Sequence, residues 1–292
     1  MASIKALRMR INSVKSTRKI TQAMKMVAAA KLRRAQTQAE AARPYAERMA
    51  RMLGSLGAAV VGSPSAPRML AGTGGDKTYL LVVVSAERGL SGAFNTNVSR
   101  LGRARARELE SQGKTVKLLT VGRKGTAFLK RELADRFVGE VSFAGQKKVG
   151  FEDAAGVAAM ITTMLDDGDF DVCELIYNRY QSVITQVPTL QRLIPAPLPE
   201  ASTAEGPQAQ YDYEPEEESI LAALLPQNLA IQVYRALLES AAGFYGSQMN
   251  AMDNATRNAG EMIKKLTLNY NRTRQANITS ELIEIISGAE AV

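Results

Sequence analysis

Histidine and tryptophan are absent from this sequence, and cysteine occurs once, at Cys173. Without histidine there is no imidazole general base, no serine–histidine triad and no histidine-ligated metal. One cysteine can form neither an intramolecular disulfide nor a cysteine zinc cluster; it suits a reducing compartment and a small buried apolar position. No apolar run approaches the 18 or more residues of a membrane-spanning helix, and no signal-peptide core is present, so a soluble chain is expected. With 46% hydrophobic and 23% charged residues over 292 positions, the composition is that of a folded protein of one large or two modest domains.

The formal charge is +8, and its placement matters more than its size. Residues 1–51 hold thirteen Lys or Arg against Glu40 and Glu47, a local excess of +11, so the rest of the chain carries −3. The acid-poor start resembles a transit peptide, yet the pattern continues for some fifty residues with no cleavage-like break and reads as structure.

From Ser3, a plausible N-cap, to about Gly57 only Pro44 interrupts a helical pattern in which apolar residues recur at three- and four-residue steps: Ile4, Leu7, Ile11, Val14, then Ile20, Met24, Val27, and later Met49, Leu53, Leu56. Pro44 is expected to bend this helix or mark a joint in it. Residues 62–76 (GSPSAPRMLAGTGGD) read as a linker. Residues 79–85 (YLLVVVS) then open an α/β domain as a strand buried on both faces. Helices are expected at 96–112, 125–133 and 152–165, with strands at 115–121, 172–180 and 183–193, in a mostly parallel sheet whose last strand is relegated to an edge by Pro188. Residues 195–215 are too proline-rich and polar to pack and form an exposed loop, and residues 216–225 form a short helix stopped by Pro226.

No proline follows Pro226, so residues 227–286 read as a helix of roughly 90 Å, against roughly 80 Å for the N-terminal one. Two long helices of matched length at opposite ends of a chain bury a shared seam by antiparallel pairing. The predicted C-terminal seam is Val233, Leu237, Ser240, Phe244, Ser247, Ala251, Ala255, Ala259, Met262 and Leu266, whose small residues allow close approach. The fold class is therefore α/β plus coiled coil: residues 1–60 and 227–292 as a discontinuous two-helix coiled-coil shaft, residues 76–194 as an inserted Rossmann-like α/β domain, and residues 195–226 as an exposed loop and short helix. The polar stretch NYNRTRQANITSE (residues 269–281) implies a part of the long helix that is wetted or faces other proteins.

Few motifs point to chemistry. Residues 89–95 (GLSGAFN) lie between strand and helix, where phosphate loops sit, but GxGxxG is missing, and Gly122-Arg-Lys-Gly125-Thr126 lacks P-loop spacing. Asp166, Asp167, Asp169 and Asp171 do not follow EF-hand order and read as a solvated turn. The basic helix could contact DNA or anionic lipid, but seam residues are interleaved with its charges from Ile4 onward, which favours acidic protein surfaces.

Three stretches carry a resemblance: residues 20–31 (ITQAMKMVAAAK), GLSGAFN, and residues 278–289 (ITSELIEIISGA), supported by AMDNATRNAG at 251–260. Over essentially its whole length the chain resembles the gamma subunits of F-type ATP synthases. The resemblance implies a central-stalk rotor subunit without catalytic, cofactor or metal residues of its own. Its terminal helices would turn inside a ring of alpha and beta subunits that bind MgATP, ADP and phosphate. The epsilon subunit and the membrane c-ring would be its other partners, with no nucleic acid and membrane association only through the complex. Met24, Arg274, Gln275, Thr279 and Glu281 would contact the ring. The chain departs from the common pattern at Ser91, where cysteine is usual, and at Gln248, where arginine is usual. It lacks the regulatory cysteine pair of chloroplast members, and the missing transit peptide implies a peripheral protein on the cytoplasmic side of a bacterial plasma membrane.

Overall fold

The computed structural model describes residues 3–60, 66–146, 148–197 and 217–290. Its elements in chain order are α1 (Ile4–Val60), α2 (Arg68–Ala71), β1 (Thr78–Val84), α3 (Phe94–Ser111), β2 (Thr115–Val121), α4 (Arg123–Leu133), β3 (Phe137–Val141), α5 (Phe151–Asp166), β4 (Val172–Tyr180), β5 (Gln186–Ile194) and α6 (Glu217–Glu290). Two long terminal helices thus enclose a mixed α/β sheet in sequence, the predicted class. The chain divides into two compact units: residues 31–247, and residues 1–30 with 248–292.

In the unit of residues 31–247 the strand order is β3-β2-β1-β4-β5, with β1 central, parallel to both β2 and β4, and β5 antiparallel at the edge. β1 reads as an unbroken apolar run because both its faces are covered. Leu80, Val82 and Val84 point into a core shared with α5, residues 49–56 of α1 and residues 221–237 of α6, while Leu81 and Val83 join Val98, Leu109 and Leu129 under α3 and α4. Cys173 is fully buried in the first of these cores, and burial pushes its thiol well above the ordinary range. Pro188 sits on β5 opposite Asn178, at the sheet edge where its missing N–H costs no central ladder bond. β3 was not foreseen: its five residues alternate weakly, and Gly139 lies at a register shift against β2. α2, within the expected linker, is a single turn that buries Met69 and Leu70.

The expected short helix ending at Pro226 is instead the beginning of α6, which runs through the proline. A proline inside a helix costs about 3 kcal/mol, because it removes one hydrogen bond and crowds the carbonyl four residues back. Here that carbonyl belongs to the exposed Ala222, where water can satisfy it. Leu221, Leu225 and Leu229 meanwhile form a buried stripe across the break, and each contributes roughly 1.5–3 kcal/mol. Packing therefore outweighs the local signal. Pro44 is likewise exposed inside a continuous α1. The predicted loop 195–215 lies almost wholly outside the described residues.

Candidate functional site

The unit of residues 1–30 and 248–292 is a pair of helix segments. Leu7, Ile11 and Leu266 form its apolar cluster, with Val14 and Tyr270 packed on it. Further along, the Thr21 and Thr256 hydroxyls are 2.7 Å apart, and Lys25 Nζ donates to Asp253 Oδ1 at 2.6 Å. Partners fall in number on α6 as they rise on α1, so the segments are antiparallel. On α6 the covered stripe is Met252, Thr256, Ala259, Ile263, Leu266 and Tyr270, alternating steps of four and three. Three predicted apolar positions, one on α6 and two on α1, are displaced from the seam. Met262 is exposed because the stripe passes through Ala259 and Ile263, and on α1 Ile20 (59% exposed) and Val27 (55%) give way to Thr21 and Ala28.

Extending this register past Leu7, α1 ends opposite about residue 273 of α6. Beyond that level every described side chain of residues 274–287 is exposed. Arg274, Gln275, Thr279 and Glu281 all lie on this stretch; the Thr279 hydroxyl donates back to the Gln275 carbonyl at 2.9 Å. Met24 is apart from them, half-buried on α1 at the level of Asp253, about 30 Å along the helix at 1.5 Å per residue. The structure therefore gathers four of the five predicted contact residues and separates the fifth. The sequence reading left out the aliphatic residues among them: Ile278, Leu282, Ile283, Ile285 and Ile286 are 48–67% exposed. The spacing of 278, 282 and 286 was the available signal, since a four-residue repeat with no covering segment marks a face for another molecule.

A second shaped feature lies in the other unit, at the C-terminal end of β1. Ser85 Oγ donates to the Gly122 carbonyl and accepts the Gly125 N–H, both at 2.8 Å. In the loop that follows, Asn95 accepts the Ala86 N–H at 2.9 Å and donates to the Arg88 carbonyl at 3.1 Å. The Glu87 carboxylate accepts the Phe143 N–H at 2.8 Å and the Ser142 hydroxyl at 3.0 Å. Ser247 Oγ donates to the carbonyl of the buried Ser91 at 2.7 Å. So braced, the loop holds Leu90 at φ 65° with its side chain 64% exposed. Left-handed backbone costs a leucine roughly 1–2 kcal/mol, and strain held by so many bonds is typical of a presented contact. The loop's Ala86 and Phe94 amides are already committed to Asn95 and to Ser91, which leaves the weak phosphate-loop reading of GLSGAFN without those donors.

The acidic turn also has internal work. Asp171 accepts the Thr73 hydroxyl at 2.6 Å and the Lys77 and Thr78 N–H groups at 2.9 Å, and these bonds, Thr73 foremost, hold its carboxyl below the usual carboxylate range. Asp169 pairs with Lys117 at 2.7 Å. Among the described residues no group of His, Cys, Asp or Glu is arranged to hold a metal ion, and no helix is long and apolar enough to cross a membrane.

The ATP synthase family model matches residues 3–292. A curated relative from Granulibacter bethesdensis, an ATP synthase gamma chain, is 64% identical over the full length of both chains. The chain belongs to the ATP synthase gamma chain family. The gamma chain of Acidiphilium cryptum is 60% identical, again over the whole of both chains. Among solved structures, a chain of the central stalk and c-ring of the Tetrahymena thermophila mitochondrial ATP synthase is 28% identical with a TM-score of 0.62, covering 81% of this chain and 99% of that one. A chain of the Euglena gracilis mitochondrial ATP synthase has the same fold at a TM-score of 0.69 and 21% identity, covering 99% of this chain and 94% of that one. Like its gamma-chain relatives, this is a non-catalytic subunit of a rotary ATP synthase and part of its central stalk.

Proposed function

We propose that the exposed end of α6 is the bearing surface on which this gamma chain turns inside a ring of alpha and beta subunits. The observation that carries the reading is residues 274–287, where polar Arg274, Gln275, Thr279 and Glu281 alternate with exposed aliphatics and no segment of α1 lies opposite. An asymmetric helix pair inside a pseudo-threefold ring touches each beta subunit differently and so stabilises a different nucleotide affinity at each site. Proton flow through the c-ring would turn the shaft for synthesis, and hydrolysis of MgATP on the partners would drive the reverse. Met24 contacts the ring at a second level, lower on the shaft. The epsilon subunit and c-ring take the opposite end, on the cytoplasmic face of a bacterial membrane, and the domain division 1–60 with 227–292, 76–194 and 195–226 describes shaft, α/β domain and connection.

Purified alpha and beta subunits, with and without this chain, test the reading by sustained MgATP hydrolysis. Stable assembly with cooperative turnover only in the mixture is expected, and Arg274→Ala should lower coupled turnover without unfolding the isolated chain. Failure to assemble, or hydrolysis by the chain alone, would overturn the proposal.

A further inference from the structure

Within the unit of residues 31–247, a half-open cleft of about 640 Å³ lies between α1, α5, β4 and α6, a volume in the ordinary range for small-molecule sites. Tyr45, Phe151, Tyr180 and Tyr234 line it, with Glu40 and Glu239 as the acidic groups among the described residues. The aromatic wall is held in place: Phe151 and Tyr234 meet edge to face at 5.8 Å, and Tyr180 accepts a hydrogen bond from Gln36 at 2.8 Å. Arg235 also lines the cleft, and its Nε donates to Glu239 Oε1 at 2.9 Å. The other carboxylate oxygen, Glu239 Oε2, is buried and has no hydrogen-bond partner.

We infer that this cleft is a binding site for an organic ammonium ion with an apolar body. Three observations select that chemistry. Aromatic faces attract cations through their quadrupoles and bury apolar carbon at the same time. Glu239 lines the cleft with its side chain 14% exposed, so its carboxylate can accept a hydrogen bond from a guest, and a charged N–H serves it best. Glu40 and Glu239 against Arg235 leave the described lining net negative, which disfavours an anionic guest, and two carboxylates among aromatic rings are a poor ligand set for a metal ion. The site is independent of the bearing surface on α6, because its lining residues all lie in the other unit.

The test titrates the full-length chain with 4-phenylbutylammonium, with the alcohol 4-phenylbutanol, and with the anion 4-phenylbutyrate, by calorimetry and by ring-proton shifts. The ammonium should bind with a Kd of about 1 mM or tighter, and about tenfold or more tighter than the alcohol, the ratio that one charge-assisted hydrogen bond supplies. The anion should bind more weakly than the alcohol. Glu239→Gln, which keeps the shape, should remove most of the ammonium's advantage at an unchanged thermal midpoint, and Tyr234→Leu should weaken ammonium and alcohol alike. Equal binding of ammonium and alcohol, absence of ammonium binding at several millimolar, or an unaffected Glu239→Gln variant would overturn the inference. Because the three-ligand comparison needs only the wild-type chain, an unstable variant leaves the test decisive.

Discussion

Gly122→Ala should be among the most damaging single-methyl additions to this gamma chain, and Gly113→Ala is its internal control. Both glycines have left-handed backbone, at φ 100° and 75°. A Cβ on Gly113 meets nothing within 4 Å, so its cost is the conformational strain alone, roughly 1–2 kcal/mol. A Cβ on Gly122 would lie 2.1 Å from the Ser85 carbonyl oxygen, more than an ångström inside the closest ordinary carbon–oxygen approach. The ends of β1 and β2 must then separate, where Ser85 N–H donates to the Val121 carbonyl and Ser85 Oγ serves Gly122 and Gly125. Leaving two of these buried groups unpaired adds about 1–3 kcal/mol each. The variants should thus differ by about 3 kcal/mol, or about 1–2 M in urea midpoint for a slope near 2 kcal/mol/M. With no tryptophan in the chain, near-UV circular dichroism of the buried Tyr79 and Tyr177 is the suitable probe. Gly122→Ala should also loosen the Leu90 loop, read as faster amide exchange at Ala86. If Gly122→Ala proves as mild as Gly113→Ala, the Ser85 junction does not constrain the loop and the reasoning fails.

Three further outcomes can be checked. Glu174, 3% exposed, makes a bidentate pair with Arg105 at 2.8 Å; Glu174→Ala should cost about 3 kcal/mol, the low end for a broken buried pair because Glu108 still holds Arg105, and adding Arg105→Leu should recover at least half of it in urea unfolding. Asp171 has a folded pKa depressed below its unfolded value, so its stabilisation is complete above the usual carboxylate range and is lost as pH falls through the depressed value; Asp171→Asn should flatten the acid side of the stability–pH curve, and an unchanged curve would discount the clamp on residues 73–78. Replacing Ile278, Leu282 and Ile286 together by serine should leave the isolated chain within about 0.5 kcal/mol of wild type, while weakening binding to an alpha–beta ring by about 2–3 kcal/mol, roughly 30- to 150-fold in a competition assay.

Much of the fold was legible because its signals are local and mutually consistent. The apolar run of β1, the alternation of strands and helices, and the proline on β5 each state their place in the sheet without reference to the rest of the chain. The misreadings fall where a distant partner decides. Pro226 is a stop signal by itself, yet the stripe through Leu221, Leu225 and Leu229 carries α6 across it because the sheet unit supplies a surface to bury it. The loop at 86–91 was visible only as a glycine-containing motif. Its bracing by Phe143, Ser142 and Ser247 joins residues more than fifty positions apart, which no local pattern encodes. The proposed contact residues on α6 came from family resemblance; their shared exposure beyond the end of α1 depends on the pairing register and emerges only in the folded helix pair.

That register shows how apolar residues become surface. Leu7, Ile11 and Val14 set the phase of the α1 seam, and a seven-residue repeat from Val14 reaches Thr21 and Ala28 rather than their more apolar neighbours. A Thr21–Thr256 hydroxyl contact and a Lys25–Asp253 ion pair then occupy places that aliphatic residues fill elsewhere. Solvent screens the partly exposed ion pair, so this stretch of the helix pair is held more loosely than the cluster at Leu266. Ile20, Met26 and Val27 are left outward among lysines, on the same helix that concentrates the chain's positive charge. A seam chosen for helix pairing alone would have turned Ile20 and Val27, one heptad apart, inward. Their exposure, like that of the aliphatics on residues 278–286, fits a helix pair whose outer faces are selected for what surrounds them.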